Sequence, residues 1–287
     1  MKIVVASGKG GTGKTTVATN LAKVSPMATC YADCDVEEPD GHIFLEPRIT
    51  STRRVSRPLP KVDEAVCDRC GKCVEVCRFN AIAVIQTGVM IFEDLCHGCG
   101  GCEIVCPLDA VSEIGHEMGV VEKGKNGTVD FIAGRLDIGE SITSPLVHAV
   151  KKELPEDGLS IIDSAPGTAC PVVAAIHGAD YCVLVTEPTP FGLNDLILAV
   201  EMTRKLGVPF GVVINRDGIG NSDTEDYCKA EGIRILARIP DDRKIAEAYS
   251  RGEMIVDAVP GMRQLFLNLL NQITSRKESR AKEKAGT

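Results

Sequence analysis

The chain has 287 residues, 44% of them hydrophobic and 25% charged, with a net charge of −8 at pH 7 and a pI near 5.3. That acidic balance weighs against non-specific nucleic-acid binding, which needs clustered Lys and Arg to neutralise phosphates. Aromatics make up 4%, with no Trp, which weighs against base stacking on aromatic platforms as a mode of action.

Residues 2–7 (KIVVAS) read as a buried strand, followed by GKGGTGKTT and a helix over about 14–25. The opening is apolar strand running into glycines rather than a charged segment with a cleavage site, and no apolar run reaches eighteen residues, so a cytoplasmic protein is expected. A second strand over about 28–33 ends in DCDVEEPDG. The stretch of about 50–60, carrying STRRVSRPLP, is rich in Arg and Pro and reads as a linker. Residues of about 61–114 hold a cysteine repeat. Beyond it, the strands LSIID, YCVLVT, PFGVVIN and IRILARIP alternate with helices, among them FGLNDLILAVEMTRKLG and DDRKIAEAYSRG. Near-continuous apolar strands separated by amphipathic helices imply an α/β fold, a doubly wound, mostly parallel sheet covered on both faces. The pattern divides the chain into a discontinuous domain at 1–56 and 115–274, an insert at 57–114, and a charged, disordered tail at 275–287. Leu265, Phe266, Leu269, Leu270 and Ile273 form a helical stripe that reads as core packing rather than a membrane-surface helix.

Gly8-Lys9-Gly10-Gly11-Thr12-Gly13-Lys14-Thr15 satisfies G-x-x-x-x-G-K-[ST], between a buried strand and a helix start. Glycines at these places let backbone N–H groups wrap phosphates, and the helix N-terminus adds a favourable dipole. Lys14 is expected to reach the β- and γ-phosphates of ATP, and the Thr15 hydroxyl to hold Mg2+, with Thr16 beside it.

Lys9, directly after the first glycine, gives KGGTGKTT, which resembles the deviant P-loop of the MinD/ParA/Mrp and nitrogenase-iron-protein superfamily of SIMIBI-class ATPases. The resemblance implies a nucleotide-sandwich dimer, homotypic or formed with a paralogue, in which Lys9 reaches the partner's phosphates. DCDVEEPD resembles the first switch of that family, which gives Asp35 the role of orienting the attacking water, with Asp33 as its neighbour and Asp40 within approach of the metal. IIDSAPGT resembles the second switch, with Asp163 holding Mg2+ through water. VVINR places Asn215 where relatives read the adenine base. TEPTPFGLNDL and RIPDDRKIAEAYSRG are similar to a ferredoxin-containing branch of the superfamily. The likeness covers about 1–50 and 115–274.

Thirteen cysteines are many for a reducing compartment, where clustered Cys points to metal before disulfides. Cys67-x2-Cys70-x2-Cys73-x3-Cys77 and Cys96-x2-Cys99-x2-Cys102-x3-Cys106-Pro107 carry the bacterial two-cluster ferredoxin spacing twice. In that pattern the fourth Cys of each run serves the other cluster. Cys67, Cys70, Cys73 and Cys106 are therefore expected to hold one 4Fe–4S cluster, and Cys96, Cys99, Cys102 and Cys77 the second. Zinc sites pair C-x2-C with longer gaps, which fits less well. Arg78 stands where proline is usual, and His97 reads as a solvated residue. Gly71, Gly98, Gly100 and Gly101 suit a tight wrap. Cys30, Cys34, Cys182 and Cys228 read as small apolar core residues. Cys170 stands seven residues after Asp163, where nitrogenase-iron-protein relatives place an interface ligand, but Ile132 occupies the second ligand's position.

Two clusters beside an ATPase point to nucleotide-gated electron transfer to a redox partner protein. The alternatives are an iron-sulfur carrier of the Mrp kind delivering to an apo-acceptor protein, or a MinD/ParA-like positioning ATPase. Nucleic acid is not expected as a partner, nor is a membrane.

Overall fold

Side-chain alternation along the strands builds two apolar layers from one sheet. The computed structural model describes residues 1–285, with side chains to residue 275. In chain order the strands are β1 (Lys2–Ala6), β2 (Thr29–Cys34), β3 (Arg48–Val62), β4 (Ile82–Ile85), β5 (Gly88–Ile91) and β6 (Val111–Asn126). They continue with β7 (Val129–Leu136), β8 (Leu159–Ser164), β9 (Tyr181–Thr186), β10 (Phe210–Asp217) and β11 (Ile235–Pro240). Ile3 and Val5 of β1 join one core, and Val4 and Ala6 the core on the opposite face. β2, β8 and β9 are buried along their whole length, as strands covered by helices on both faces must be.

Nine strands form one sheet in the order β11-β10-β9-β1-β8-β2-β7-β6-β3, and β4 pairs with β5 separately. All pairs from β11 to β7 are parallel, while β7–β6 and β6–β3 are antiparallel. Helices Lys14–Val24, Arg243–Ser250 and Met262–Ala285 cover one face; Ser144–Lys152, Cys170–Ile176 and Pro190–Lys205 cover the other. Phe266, Leu269, Leu270 and Ile273 are buried in the first core, as the stripe implied. The last helix continues past Ile273 to Ala285, through a run of Lys, Glu, Arg and Ala that favours helix. The tail expected to be disordered at 275–287 is thus helical in its backbone to Ala285, while its side chains from 276 on and residues 286–287 altogether lie outside the described residues. No helix among the described residues is long and apolar enough to cross a membrane.

The segment expected to be a linker is instead β3, a strand of 15 residues paired with β6 from Arg48↔Lys125 to Val62↔Val111. Pro58 and Pro60 are tolerated because β3 is an edge strand, where a missing N–H costs no ladder bond. β6 pairs with β7 only from Gly119↔Leu136 to Asn126↔Val129, so residues 111–118 run on beyond the C-terminal end of β7. β7 is parallel to β2 and, through it, to the central strands. The β3–β6 ribbon therefore carries the cysteine segment out from the carboxyl edge of the sheet, the edge on which open α/β sheets bind ligands.

Within that lobe, an offset of 29 residues (Cys67 to Cys96) superposes far more than the cysteines. Val62↔Val111 and Leu59↔Ile114 at the ribbon's tip correspond to Ile91↔Ile82 and Gly88↔Ile85 of the β4–β5 hairpin. Positive φ recurs at Arg69 and Gly98 (60° and 62°), Gly71 and Gly100 (81° and 73°), and Asn80 and Asp109 (53° and 50°). Gly101, by contrast, opens the short helix Gly101–Ile104 without positive φ. The ribbon tip is thus one half of a pseudo-symmetric lobe whose other half is the hairpin.

Candidate functional site

The turn after β1 sets the phosphate cradle. Gly8 packs so closely on the helix Pro190–Lys205 that a Cβ there would lie 2.1 Å from the Asp195 carbonyl oxygen, and Gly13 at φ 92° opens the helix Lys14–Val24. Gly10, Gly11, Gly13, Lys14, Thr15 and Thr16 line an open cavity that also takes in Asp35, Asp40 and Asn215. Thr12 is buried, and its carbonyl accepts from Asn215 Nδ2 at 2.8 Å. Asn215, the expected base reader, thus braces the cradle from the end of β10. The far end of the cavity is formed by Arg216, Pro240 and Asp242 with Ile245 and Tyr249. These residues were not singled out by sequence, although RIPDD marked the strand end that supplies two of them.

Asp33, Asp163 and Asp35 are electrostatic neighbours, and Lys14 acts on the last two. Asp33 is buried; it accepts from Tyr31 Oη (3.3 Å), Gly41 N (3.0 Å) and Asp35 N (3.2 Å), so it organises the segment after β2. Tyr31 Oη also donates to Asp163 Oδ2 at 3.0 Å, while Asp163 Oδ1 is buried with no hydrogen-bond partner among the described residues. The Thr15 hydroxyl lies beside the Asp163 carboxylate and favours its charged form. A hydroxyl and an orphaned carboxylate oxygen at the cradle suit a hard divalent cation such as Mg2+, which prefers oxygen ligands.

Burial pushes Asp35 up to about 7, opposed by Lys14 and reinforced by Asp163, Glu37 and Glu38. Asp163 rises to about 6, again by burial, against the neighbouring Thr15 hydroxyl and the charge of Lys14. Asp33 is held well above the ordinary carboxylate range by burial and by Asp163. Carboxylates raised in the fold bind protons more tightly there than in the unfolded chain. Their contribution to stability is therefore complete below the ordinary value of 3.8 and is lost as pH climbs through about 6 to 7. Without Mg2+, this cluster is expected to lower the melting temperature across that window. Mg–nucleotide, favouring ionised carboxylates, is expected to release protons on binding near pH 6. Calorimetry in buffers of differing ionisation enthalpy reads that release, and binding without it would count against the cluster as the cation's seat.

Lys9 is turned inward in this single chain: its Nζ lies 3.1 Å from Glu187 Oε2, and Arg216 Nη1 lies 2.8 Å from Oε1 of the same buried carboxylate. Glu187 was not anticipated; its only sequence signal was an acidic residue just past the end of the buried strand YCVLVT.

The eight clustered cysteines divide between two cavities. Cys67, Cys70, Cys73 and Cys106 line one, with Val62, Val84 and Val89 among its apolar walls. Cys77, Cys96, Cys99 and Cys102 line the other. The fourth cysteine of each run faces the other run's cavity. Ala81 N donates to Cys77 Sγ (3.3 Å) and Ala110 N to Cys106 Sγ (3.2 Å), again at the 29-residue offset. Among the described residues no three His, Cys, Asp or Glu side chains converge as a single ion requires. Thiolates on one tetrahedral zinc sit about 3.8 Å apart, given Zn–S bonds of about 2.3 Å; thiolates on the corners of an iron–sulfur cube bind different irons and need not converge. His97, expected to be solvated, stacks on Phe79 with centroids 3.7 Å apart and lines the second cavity. Cys30, Cys34, Cys182 and Cys228 are buried, with burial raising Cys30 and Cys182 to about 12; Cys170 is exposed at the start of its helix.

A family profile described as CobQ/CobB/MinD/ParA nucleotide binding domain matches residues 3–256. The uncharacterized protein MJ0578 of Methanocaldococcus jannaschii is 34% identical over 226 residues, 77% of this chain and 80% of the relative. An iron-sulfur cluster carrier protein of Pyrococcus abyssi is 24% identical over 306 residues, 98% of this chain and 90% of the relative. Among solved structures, the septum site-determining protein MinD of Pyrococcus horikoshii, complexed with Mg-ADP, aligns with a TM-score of 0.58 over 95% of both chains. Its identity is 19%, so the likeness is one of fold.

Proposed function

Since this chain belongs to the CobQ/CobB/MinD/ParA nucleotide-binding family, we propose that it is an ATPase whose nucleotide state gates electron transfer through two 4Fe–4S clusters held in the ribbon-borne lobe. One observation carries the reading: eight cysteines sort crosswise into two cavities on the same sheet edge as the phosphate cradle. Each cavity offers four thiols, apolar walls and a backbone amide on one sulfur, the donor set and surroundings that a 4Fe–4S cube takes. Bound clusters would supply one-electron chemistry. Lys14 and the glycine amides bind the triphosphate, Thr15 and Asp163 hold Mg2+, and Asp35 orients the attacking water. Lys9 completes the site of a second copy when two chains close on nucleotide.

Anaerobically purified protein is expected to contain about eight irons per chain, four per cluster, with matching sulfide and EPR signals that respond to ATP against ADP. Zinc in place of iron and sulfide would overturn the redox half of the proposal; failure of Lys14→Ala to abolish nucleotide binding would overturn the other half.

A second reading, delivery of clusters to an apo-acceptor, draws on the iron-sulfur carrier name of the Pyrococcus relative and on the exposure of Cys70 and Cys99. Transfer of labelled iron and sulfide to an apo-ferredoxin at a rate set by ATP would favour it over electron transfer.

A further inference from the structure

The pseudo-symmetry of the lobe breaks at one buried position. Arg57 is 2% exposed and the largest fully buried side chain among the described residues, whereas the residue at the 29-residue offset, Gln86, is exposed in the β4–β5 turn. The Arg57 guanidinium donates to the carbonyl of Cys96 (2.8 Å) and that of Glu93 (3.2 Å). Its carboxylate partner is Glu140, 3.6 Å away and outside the lobe. A buried guanidinium is costly unless paired, so Arg57 depends on Glu140 staying in place.

Glu140 belongs to the loop 137–143 that leaves β7. Its other oxygen accepts from His116 Nε2 at 2.6 Å, and Ser141 Oγ donates to the Asp94 carbonyl at 3.1 Å. At its near end the loop is tied to the nucleotide site. Leu136 N donates to the carbonyl of Val36, the residue after Asp35, at 2.9 Å, and Asp137 N donates to Met118 O at 3.0 Å. Gly139, at φ 94°, gives this short span a point about which to turn. The chain of contacts runs without a gap from Asp35 and Val36, through residues 136–141, to the backbone of Cys96.

We propose that loop 137–143 carries nucleotide state to the second cysteine quartet alone, with Arg57 as the positioning residue that converts a shift of Glu140 into a changed charge environment at Cys96. The inference rests on the reading of the lobe as a 4Fe–4S carrier gated by nucleotide. Among the described residues the first quartet has no buried guanidinium corresponding to Arg57, so its environment stays constant while the second responds.

The test uses full-length anaerobic protein, wild type and Glu140→Gln, which keeps the side chain's size while removing its charge. Ser141→Ala serves as a milder variant should Glu140→Gln lose iron. Hydrogen exchange and EPR-monitored reduction are compared in ADP and in a non-hydrolysable ATP analogue. In the wild type, the analogue is expected to change exchange over 136–143 and over 93–97, and to shift the potential of the second quartet only. In Glu140→Gln, exchange over 136–143 should still respond while the response at 93–97 and the potential shift are lost. A potential shift that survives in Glu140→Gln, or one shared equally by both quartets, overturns the relay and leaves the gated-ATPase reading standing. A wild type whose two potentials both ignore nucleotide overturns that reading and the relay with it.

Discussion

Cys67→Ser and Cys106→Ser, changes 39 positions apart and in different cysteine runs, will have the same effect: loss or damage of one cluster and about half the iron, four of about eight atoms. The reason lies in the cavities. Cys106 shares walls with Cys67, Cys70 and Cys73, and not with the run to which it belongs in sequence. Cys96→Ser and Cys77→Ser will form the second matched pair. Double variants make the test sharp, because residues that act as one unit are not additive. Cys67→Ser with Cys106→Ser should lose little more iron than either change alone, whereas Cys67→Ser with Cys77→Ser should lose nearly all of it. Iron, sulfide and EPR spin counts on anaerobic preparations read the outcome. If the pair within one run, Cys67 with Cys77, is the non-additive one, the crosswise assignment is wrong and each run holds its own metal.

That crosswise pairing is an expectation from the spacing, whereas the strands that lie wholly inside the molecule were legible in the sequence. YCVLVT became β9 at the expected residues, 181–186, because a strand buried on both faces is apolar throughout and cannot be confused with an exposed helix. The ribbon was not legible. Residues of β3 are exposed over most of its first half and carry Arg, Ser and Pro, and β6 and β7 alternate with Gly and charged residues. Edge strands look like linkers because half their surface and one row of their backbone groups face solvent. The glycine-rich turn after β1 could be read from glycine spacing and Lys14, since those glycines set its backbone conformation. Glu187, Tyr31 and Arg57 could not. Each acts through a partner far away in sequence — Lys9, Asp163 and Cys96 respectively — and no local pattern encodes such a pairing. Asn215 was placed correctly at a strand end, yet its hydrogen bond to Thr12 O depends on how closely β10 approaches the P-loop, which sequence does not state.

The buried carboxylate of Glu187 decides what is expected of Lys9. In one chain Lys9 is neutralised in place, its side chain 31% exposed against 7% for Glu187. Reaching a partner's phosphates requires that pair to break, and stranding a buried carboxylate costs several kcal/mol, about 3–5. Arg216 removes that obstacle by holding the other oxygen of Glu187 at 2.8 Å, so the carboxylate keeps a cation when the lysine leaves. Lys9→Ala is therefore expected to leave nucleotide affinity nearly unchanged and to cut hydrolysis by about 10³-fold or more, the scale of a cation supplied in trans. It should also abolish the rise of specific activity with protein concentration. Arg216→Ala should slow hydrolysis too, for the opposite reason: Glu187 then has Lys9 as its remaining cation and grips it. Adding Glu187→Gln to Arg216→Ala should restore much of the rate, because a neutral amide has no charge with which to detain the lysine. Phosphate release followed over a wide range of protein concentration distinguishes these cases. A Lys9→Ala protein that hydrolyses ATP at the normal rate, with the normal concentration dependence, would show that the inward ion pair is its resting place and its only role.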